Sequence, residues 1–160
     1  MPRRDKTNYY LDIADTVRER STCLRRNMGA IIVKNDQIIA TGYNGAPRGS
    51  VNCSDAESCI REEMGIPRGE RYELCRAVHA EANAIIAAPR NDMLGSTMYL
   101  AGRSAQTGEL VPNLNCCSMC RRMTINAGIE HVVIRQSENE YTVIPVAQWV
   151  GDDAALTGGY

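Results

Sequence analysis

The sequence has no apolar run of 18 residues, only two lysines and only two histidines. Without such a run, no ordinary membrane-spanning helix is expected. Lysine is scarce because arginine takes its place: Lys6 and Lys34 stand beside 16 arginines, and 19 acidic residues leave a net charge of −1. So balanced a total gives no broad electrostatic footprint for duplex nucleic acid, and no nucleic-acid partner is expected. A local phosphate site stays open, since arginine grips phosphate with a planar fork. Genomic base composition explains the arginine excess equally well. The basic start, Met1 to Lys6, runs into an amphipathic stretch, Thr7 to Asp15, that is no signal-peptide core. That points to a cytoplasmic protein, in which seven cysteines are more readily metal ligands than disulfides.

What is present reads as one domain over residues 1–160, long enough to bury about two-thirds of its unfolded surface. Tyr10, Ile13, Ala14 and Val17 recur at helical spacing, with Thr7 or Asn8 as the cap of a helix reaching about Arg20. Ala30–Val33 and Gln37–Thr41 flank the turn Asn35-Asp36 and read as a hairpin. Ala77–Ala88 is an alanine-rich helix ended by Pro89, and Cys117–Ala127 is a second helix with Gly128 as its stop. Strands are expected at Thr97–Leu100, His131–Ile134 and Tyr141–Ile144. A loop insertion at about 42–75, with a short helix near Ala56–Met64, is too long to be a passive connector. The tail from Gly151 to Tyr160 is expected to be loose. This order fits an α/β fold of three layers, α-β-α, around a mixed sheet of about five strands.

The chemistry lies at two helix starts. His79-Ala80-Glu81 opens one, and Cys117-Ser118-Met119-Cys120 opens the other. A catalytic zinc takes three protein ligands and leaves a fourth position for water. Cysteines at i and i+3 share a helix face, so Cys117 and Cys120 can meet one ion, and the helix N-terminus favours their thiolates. His79 is the third ligand; His131, at a strand start, is read as structural. Glu81 is then free to face the water. His-x-Glu alone is most often an ordinary helix start, and Cys-x-x-Cys is as often structural or redox-active. In this order, with a strand between them, they match the zinc nucleobase deaminase pattern.

The surrounding segments resemble one branch of that superfamily. Arg25-Arg26-Asn27-Met28-Gly29-Ala30-Ile31-Ile32-Val33 is similar to its first strand, and Thr41-Gly42-Tyr43-Asn44-Gly45-Ala46-Pro47-Arg48-Gly49 resembles the Gly-Tyr-Asn-Gly-x-Pro-x-Gly segment of deoxycytidylate deaminases. Val78–Ile85 looks like their zinc helix, and Asn126–Ile129 like the end of the second. The likeness runs from about residue 7 to 145. It departs at Cys116, where the family usually has proline; Cys116 competes with Cys117 as a ligand, although the i,i+3 spacing favours Cys117 with Cys120.

The resemblance implies a cytidine deaminase-like fold and hydrolysis of dCMP to dUMP and ammonia, which supplies dUMP for dTMP synthesis. Zinc would lower the pKa of water, and Glu81 would carry the proton to N3 and then to the departing ammonia. Asn44 would hold the sugar or base edge, unless Asn44-Gly45 is simply a turn. Arg25, Arg26, Arg48 and Arg121 are the phosphate candidates, and by resemblance some of them could instead serve a dCTP/dTTP regulatory site in a hexamer. Cys23, Cys53, Cys59 and Cys75 suit a second, structural zinc, against the plainer reading of four scattered buried thiols. Two rival functions remain: a deaminase of another cytosine or adenine substrate (nucleoside, dCTP or tRNA), and a non-catalytic zinc protein of the late-competence type.

Overall fold

The hairpin sets the frame. A computed structural model of the chain describes residues 1–157. Helix α1 (Lys6–Val17) is followed by strands β1 (Arg26–Lys34) and β2 (Gln37–Tyr43), then by the short helix α2 (Ile60–Glu63) and by α3 (Ala80–Ile86). Next come α4 (Arg90–Met93), β3 (Thr97–Ser104), α5 (Ser118–Ala127), β4 (His131–Arg135), β5 (Tyr141–Pro145), α6 (Ala147–Val150) and α7 (Asp153–Thr157). Asn35 and Asp36 turn β1 into β2 with φ of 50° and 61°, the two left-handed residues that a tight type I′ hairpin requires.

The sheet order is β2-β1-β3-β4-β5. All neighbours are antiparallel except β3 and β4, which run parallel. A parallel pair needs a long crossover, and α5 lies within it. β1 is buried on both faces. Ala30 and Ile32 join a core with Ala80, Ala84 and Cys120, whereas Ile31 and Val33 pack with Tyr10 and Ala14. Alternate residues of one strand therefore point into two layers, with α1 on one side and α3 and α5 on the other. This is the expected α-β-α arrangement with a five-stranded mixed sheet.

Two close approaches lock the layers. A Cβ on Gly42 would stand 2.4 Å from the Ala80 carbonyl oxygen and 2.4 Å from the Ala84 nitrogen of α3. One on Gly29 would meet the Ala14 carbonyl oxygen of α1 at 2.1 Å. Only hydrogen fits at either place. Helix α1 is also held by charge: Arg135 Nη2 donates to Asp12 Oδ1 at 2.6 Å, and Arg103 and Arg18 bond Asp15 at 2.8 and 2.6 Å.

Several boundaries differ from expectation. The cap of α1 is Asp5, whose Oδ1 accepts from the Asn8 N–H at 3.0 Å, and neither Thr7 nor Asn8. The helix near residues 56–64 is a single turn, and α3 is shorter than Ala77–Ala88 because the chain stays extended through His79. The tail is not loose as far as residue 157. Arg121 and Arg122 of α5 donate to the carbonyls of Ala155 and Leu156 at 2.9 and 2.7 Å and dock α7. Residues 158–160, the end of that expected loose tail, lie outside the described residues. Among the described residues no helix is long and apolar enough to cross a membrane.

Candidate metal centre and the cavity beside it

His79 is the N-cap of α3 and Cys117 the N-cap of α5, both with extended backbone (φ −68°, ψ 154° and φ −70°, ψ 164°). This local geometry resolves a difficulty in the sequence. Residues i and i+2 of a helix face different ways, but His79 is not yet helical, so its ring and the Glu81 carboxylate can turn to one place. His79 Nδ1 lies 3.4 Å from Cys117 Sγ and 3.4 Å from Cys120 Sγ. Glu81 Oε2 accepts from Cys120 Sγ at 3.6 Å. Glu81 and both cysteines are buried.

The donor set fits zinc. Ligands at 2.0–2.3 Å from a tetrahedral ion stand roughly 3.5 Å apart, and the three donor atoms here all lie within 4.8 Å of one another. One nitrogen and two sulfurs leave a fourth position open, the arrangement of a catalytic site. The charges are already biased that way. A hydrogen bond from Cys120, against the cost of burial, and a second contact with His79 bring the Cys117 thiol down to about 4. Cys120 is pushed up by its contact with Cys117 and by burial. For His79, burial works against the charged ring, but the Cys117 contact and the Glu81 charge outweigh it and raise its basicity. Burial raises the Glu81 carboxyl, against the pull of His79.

Cys116 is not one of the three donors, although its thiol meets the Glu81 carboxylate. It is 0% exposed, burial pushes its thiol well up, and its backbone N–H is accepted by Asn115 Oδ1 at 2.8 Å. A proline there would have no N–H to satisfy. Asn115 therefore absorbs the one new donor that the substitution introduces.

A cavity opens beside the centre. Its walls include His79, Glu81 and Cys117, the phosphate candidates Arg25 and Arg26, Asn44, and three of the four remaining cysteines, Cys23, Cys59 and Cys75. Asn44 is 7% exposed and mostly occupied with backbone. Its Oδ1 accepts from Met28 N at 2.9 Å and Ser21 Oγ at 2.5 Å, while Nδ2 donates to Arg26 O at 2.8 Å. One amide N–H remains for a ligand. Arg25 is paired with Glu62 at 2.9 Å.

The other two phosphate candidates lie elsewhere. Arg48 is exposed and does not line the cavity. Arg121 is buried away from it, its guanidinium 5.5 Å over the Trp149 ring and bonded to Ala155 O. In their stead the structure brings in Arg61 and Arg68 from the insertion, with Tyr72. No periodicity or motif marks those three; the sole signal was the length of the insertion itself.

Cys23, Cys53, Cys59 and Cys75 are all half-buried and free of disulfides. Burial and the neighbouring Cys23 and Cys75 thiols push the Cys53 thiol up, and burial with Cys23 and Cys59 does the same at Cys75. The four are thus neighbours, but no three of them come within the 4.8 Å that gathers His79, Cys117 and Cys120.

An α-β-α sandwich with a His-Cys-Cys cluster at two helix starts defines a class, the zinc deaminases of nucleobases. Comparison with known proteins narrows it. Residues 4–136 match the cytidine and deoxycytidylate deaminase zinc-binding region, and the chain belongs to that family. It is similar to the deoxycytidylate deaminase of Mycobacterium phage D29, 37% identical over 138 residues that cover 83% of this chain and 96% of that one. The deoxycytidylate deaminase of Schizosaccharomyces pombe is 31% identical over 82% of this chain but only 37% of its own length. Among solved structures, the apo dCMP deaminase of cyanophage S-TIM5 superposes with a TM-score of 0.58 at 25% identity, covering 84% of this chain and 86% of that one.

Proposed function

We propose that this chain hydrolyses dCMP to dUMP and ammonia, with His79, Cys117 and Cys120 holding a catalytic zinc and Glu81 moving the protons. The observation that carries it is the convergence of three zinc-type donors and a buried carboxylate at the end of a cavity with arginines in its wall. The 37% identical phage relative supports the substrate.

When bound, zinc supplies Lewis-acid activation of water at neutral pH. The chain's own residues do the rest. Glu81, its carboxyl raised by burial, accepts the proton of the attacking water and delivers it to N3 of the pyrimidine as the oxygen adds to C4. It then carries the second proton to the amino group, which leaves as ammonia. A carboxyl raised toward the working pH suits both directions of that shuttle. Asn44, with one N–H to spare, orients the sugar or base edge, and Arg25 and Arg26 stand in the wall for the charged end of the nucleotide.

The same reading includes a second zinc held by Cys23, Cys53, Cys59 and Cys75. What supports it is the clustering of four free thiols, together with two local bonds. Cys23 Sγ accepts the Arg25 N–H at 3.5 Å, and Cys75 accepts from the Ala77 backbone. Backbone donors of this kind favour a thiolate, and a closed four-sulfur site suits a structural ion. Homo-oligomer formation, with dCTP and dTTP as effectors, completes the proposal and is checked by sedimentation with and without each triphosphate.

The deciding experiment measures ammonia released from dCMP, deoxycytidine, dCTP and a cytosine oligonucleotide, with zinc quantified on the same sample. Turnover of dCMP above the others supports the assignment. Preference for the oligonucleotide or for deoxycytidine rejects the substrate, and no turnover by zinc-loaded protein, with or without dCTP, rejects the enzyme.

A further inference from the structure

Arg61 lies on α2, inside the insertion, and is 4% exposed. Arginine is almost never so deep unless its charge is paired. Yet among the described residues no carboxylate forms an ion pair with it. Two carbonyls hold it instead: Nη2 donates to Pro67 O at 2.9 Å and to Glu70 O at 2.5 Å. The Tyr72 ring lies against its guanidinium, 4.5 Å from the ring centre. Its Nε is buried and has no hydrogen-bond partner.

A guanidinium fixed at one nitrogen, stacked on an aromatic face, lining a cavity and holding a charge that no carboxylate offsets is a preorganised anion receptor. The cost of burying its charge is repaid when an anion arrives. The kind of anion follows from position. Tyr72 also packs against His79, with the two rings edge to face, 4.8 Å between centres and 85° between planes. One ring thus touches both Arg61 and a residue of the metal centre, and all three line one cavity with Glu81. In a nucleotide, one sugar separates the phosphate from the base.

We propose that Arg61 is a specificity-determining residue: it receives the 5′-phosphate and selects a nucleoside monophosphate over the free nucleoside. The inference rests on the reading of the cavity as a pyrimidine nucleotide site. It gives the insertion a direct part in substrate choice, beyond any metal that orders it.

The test compares kcat/KM for dCMP and deoxycytidine in the zinc-loaded protein and in Arg61→Gln. The value for dCMP should fall on the order of 10- to 100-fold, mostly through KM, as expected for loss of a charge-assisted hydrogen bond. The value for deoxycytidine should hold, so the ratio collapses. An equal loss on both substrates, or no loss, overturns the assignment. Arg61→Lys, which keeps the charge without the fork, should restore part of the ratio. If the glutamine variant does not fold, inorganic phosphate decides: it should compete with dCMP in the wild type and at least several-fold more weakly in Arg61→Lys, and equal competition overturns the assignment. Failure of the parent reading looks different, because wild-type protein that does not prefer dCMP to deoxycytidine rejects it before any variant is made.

Discussion

The two groups of cysteines differ in what holds them. Cys117 and Cys120 ride a ten-residue helix packed on the sheet, and each meets His79 Nδ1 at 3.4 Å. Cys53 lies in a single helical turn, Cys59 and Cys75 at the ends of others and Cys23 in irregular chain before β1; all are half-buried, and no three of them are as closely gathered. In the first group regular structure brings the donors together, so an ion would add chemistry more than order. In the second, regular structure contributes little, so an ion would supply the order itself. On the proposed reading, one chain offers both relations between metal and fold, with Cys23, Cys59, Cys75 and Cys117 in the wall of one cavity.

The sharpest test of that contrast is Glu81→Gln. It should cut kcat by about 10²–10⁴-fold while zinc content and Tm stay at wild-type values. Zinc lost along with activity would mean that Glu81 is a ligand and that the division between scaffold and chemistry is wrong. Cys53→Ser should remove one zinc per chain and lower Tm by roughly 5–10 °C, whereas Cys117→Ser should remove the other and leave Tm nearly unchanged. Equal melting shifts in the two variants would erase the comparison.

Smaller changes probe the scaffold alone. Gly42→Ala drives a methyl group into the backbone of α3 and should cost about 1–3 kcal/mol as overpacking, read as a lower urea midpoint. The smallest expected effect is Asp15→Asn. Burial raises the Asp15 carboxyl, but bonds from Arg103 and Arg18 outweigh it and hold it below its ordinary value of 3.8. A depressed native pKa adds stability that is complete above the ordinary value and is lost as pH falls through the native one. The variant should therefore lose about 1 kcal/mol at pH 7, and the gap from wild type should close below about pH 4. A constant gap across that range would show that Asp15 acts by packing and not by charge.

Much of this architecture is legible in the residues, and the gaps have a common cause. The hairpin, the helix stop at Gly128 and the pairing of His-x-Glu with Cys-x-x-Cys are local signals of turn chemistry, periodicity and spacing. So is the two-sided burial of β1, written in the unbroken run Ala30 to Val33. The four-residue helices α2, α4 and α6 are too short to carry a period. Asp5 does not stand out as a cap in the sequence because several polar residues compete at that boundary. Arg25 and Arg26 reach the cavity because the first strand leads there, but Arg121 has the same chemistry and the opposite fate. Its surroundings are set by Trp149 and Ala155, residues about 30 positions away, whose docking on α5 no local pattern announces. Arg61 is the converse case. Nothing near it in sequence marks it, and only the folding of the insertion over the cavity gives it a place in the wall.

The burial of the metal centre has a kinetic consequence. Cys120 is 0% and Cys117 2% exposed, and behind them stands the sheet, so the donors meet solvent through the cavity that His79, Glu81 and Cys117 line. On the proposed reading, ion and nucleotide share that doorway. A chelator must enter where the substrate sits, and a protein saturated with product should surrender its zinc more slowly than an empty one. The lifetime of the metal becomes a clock for how often the doorway stands open.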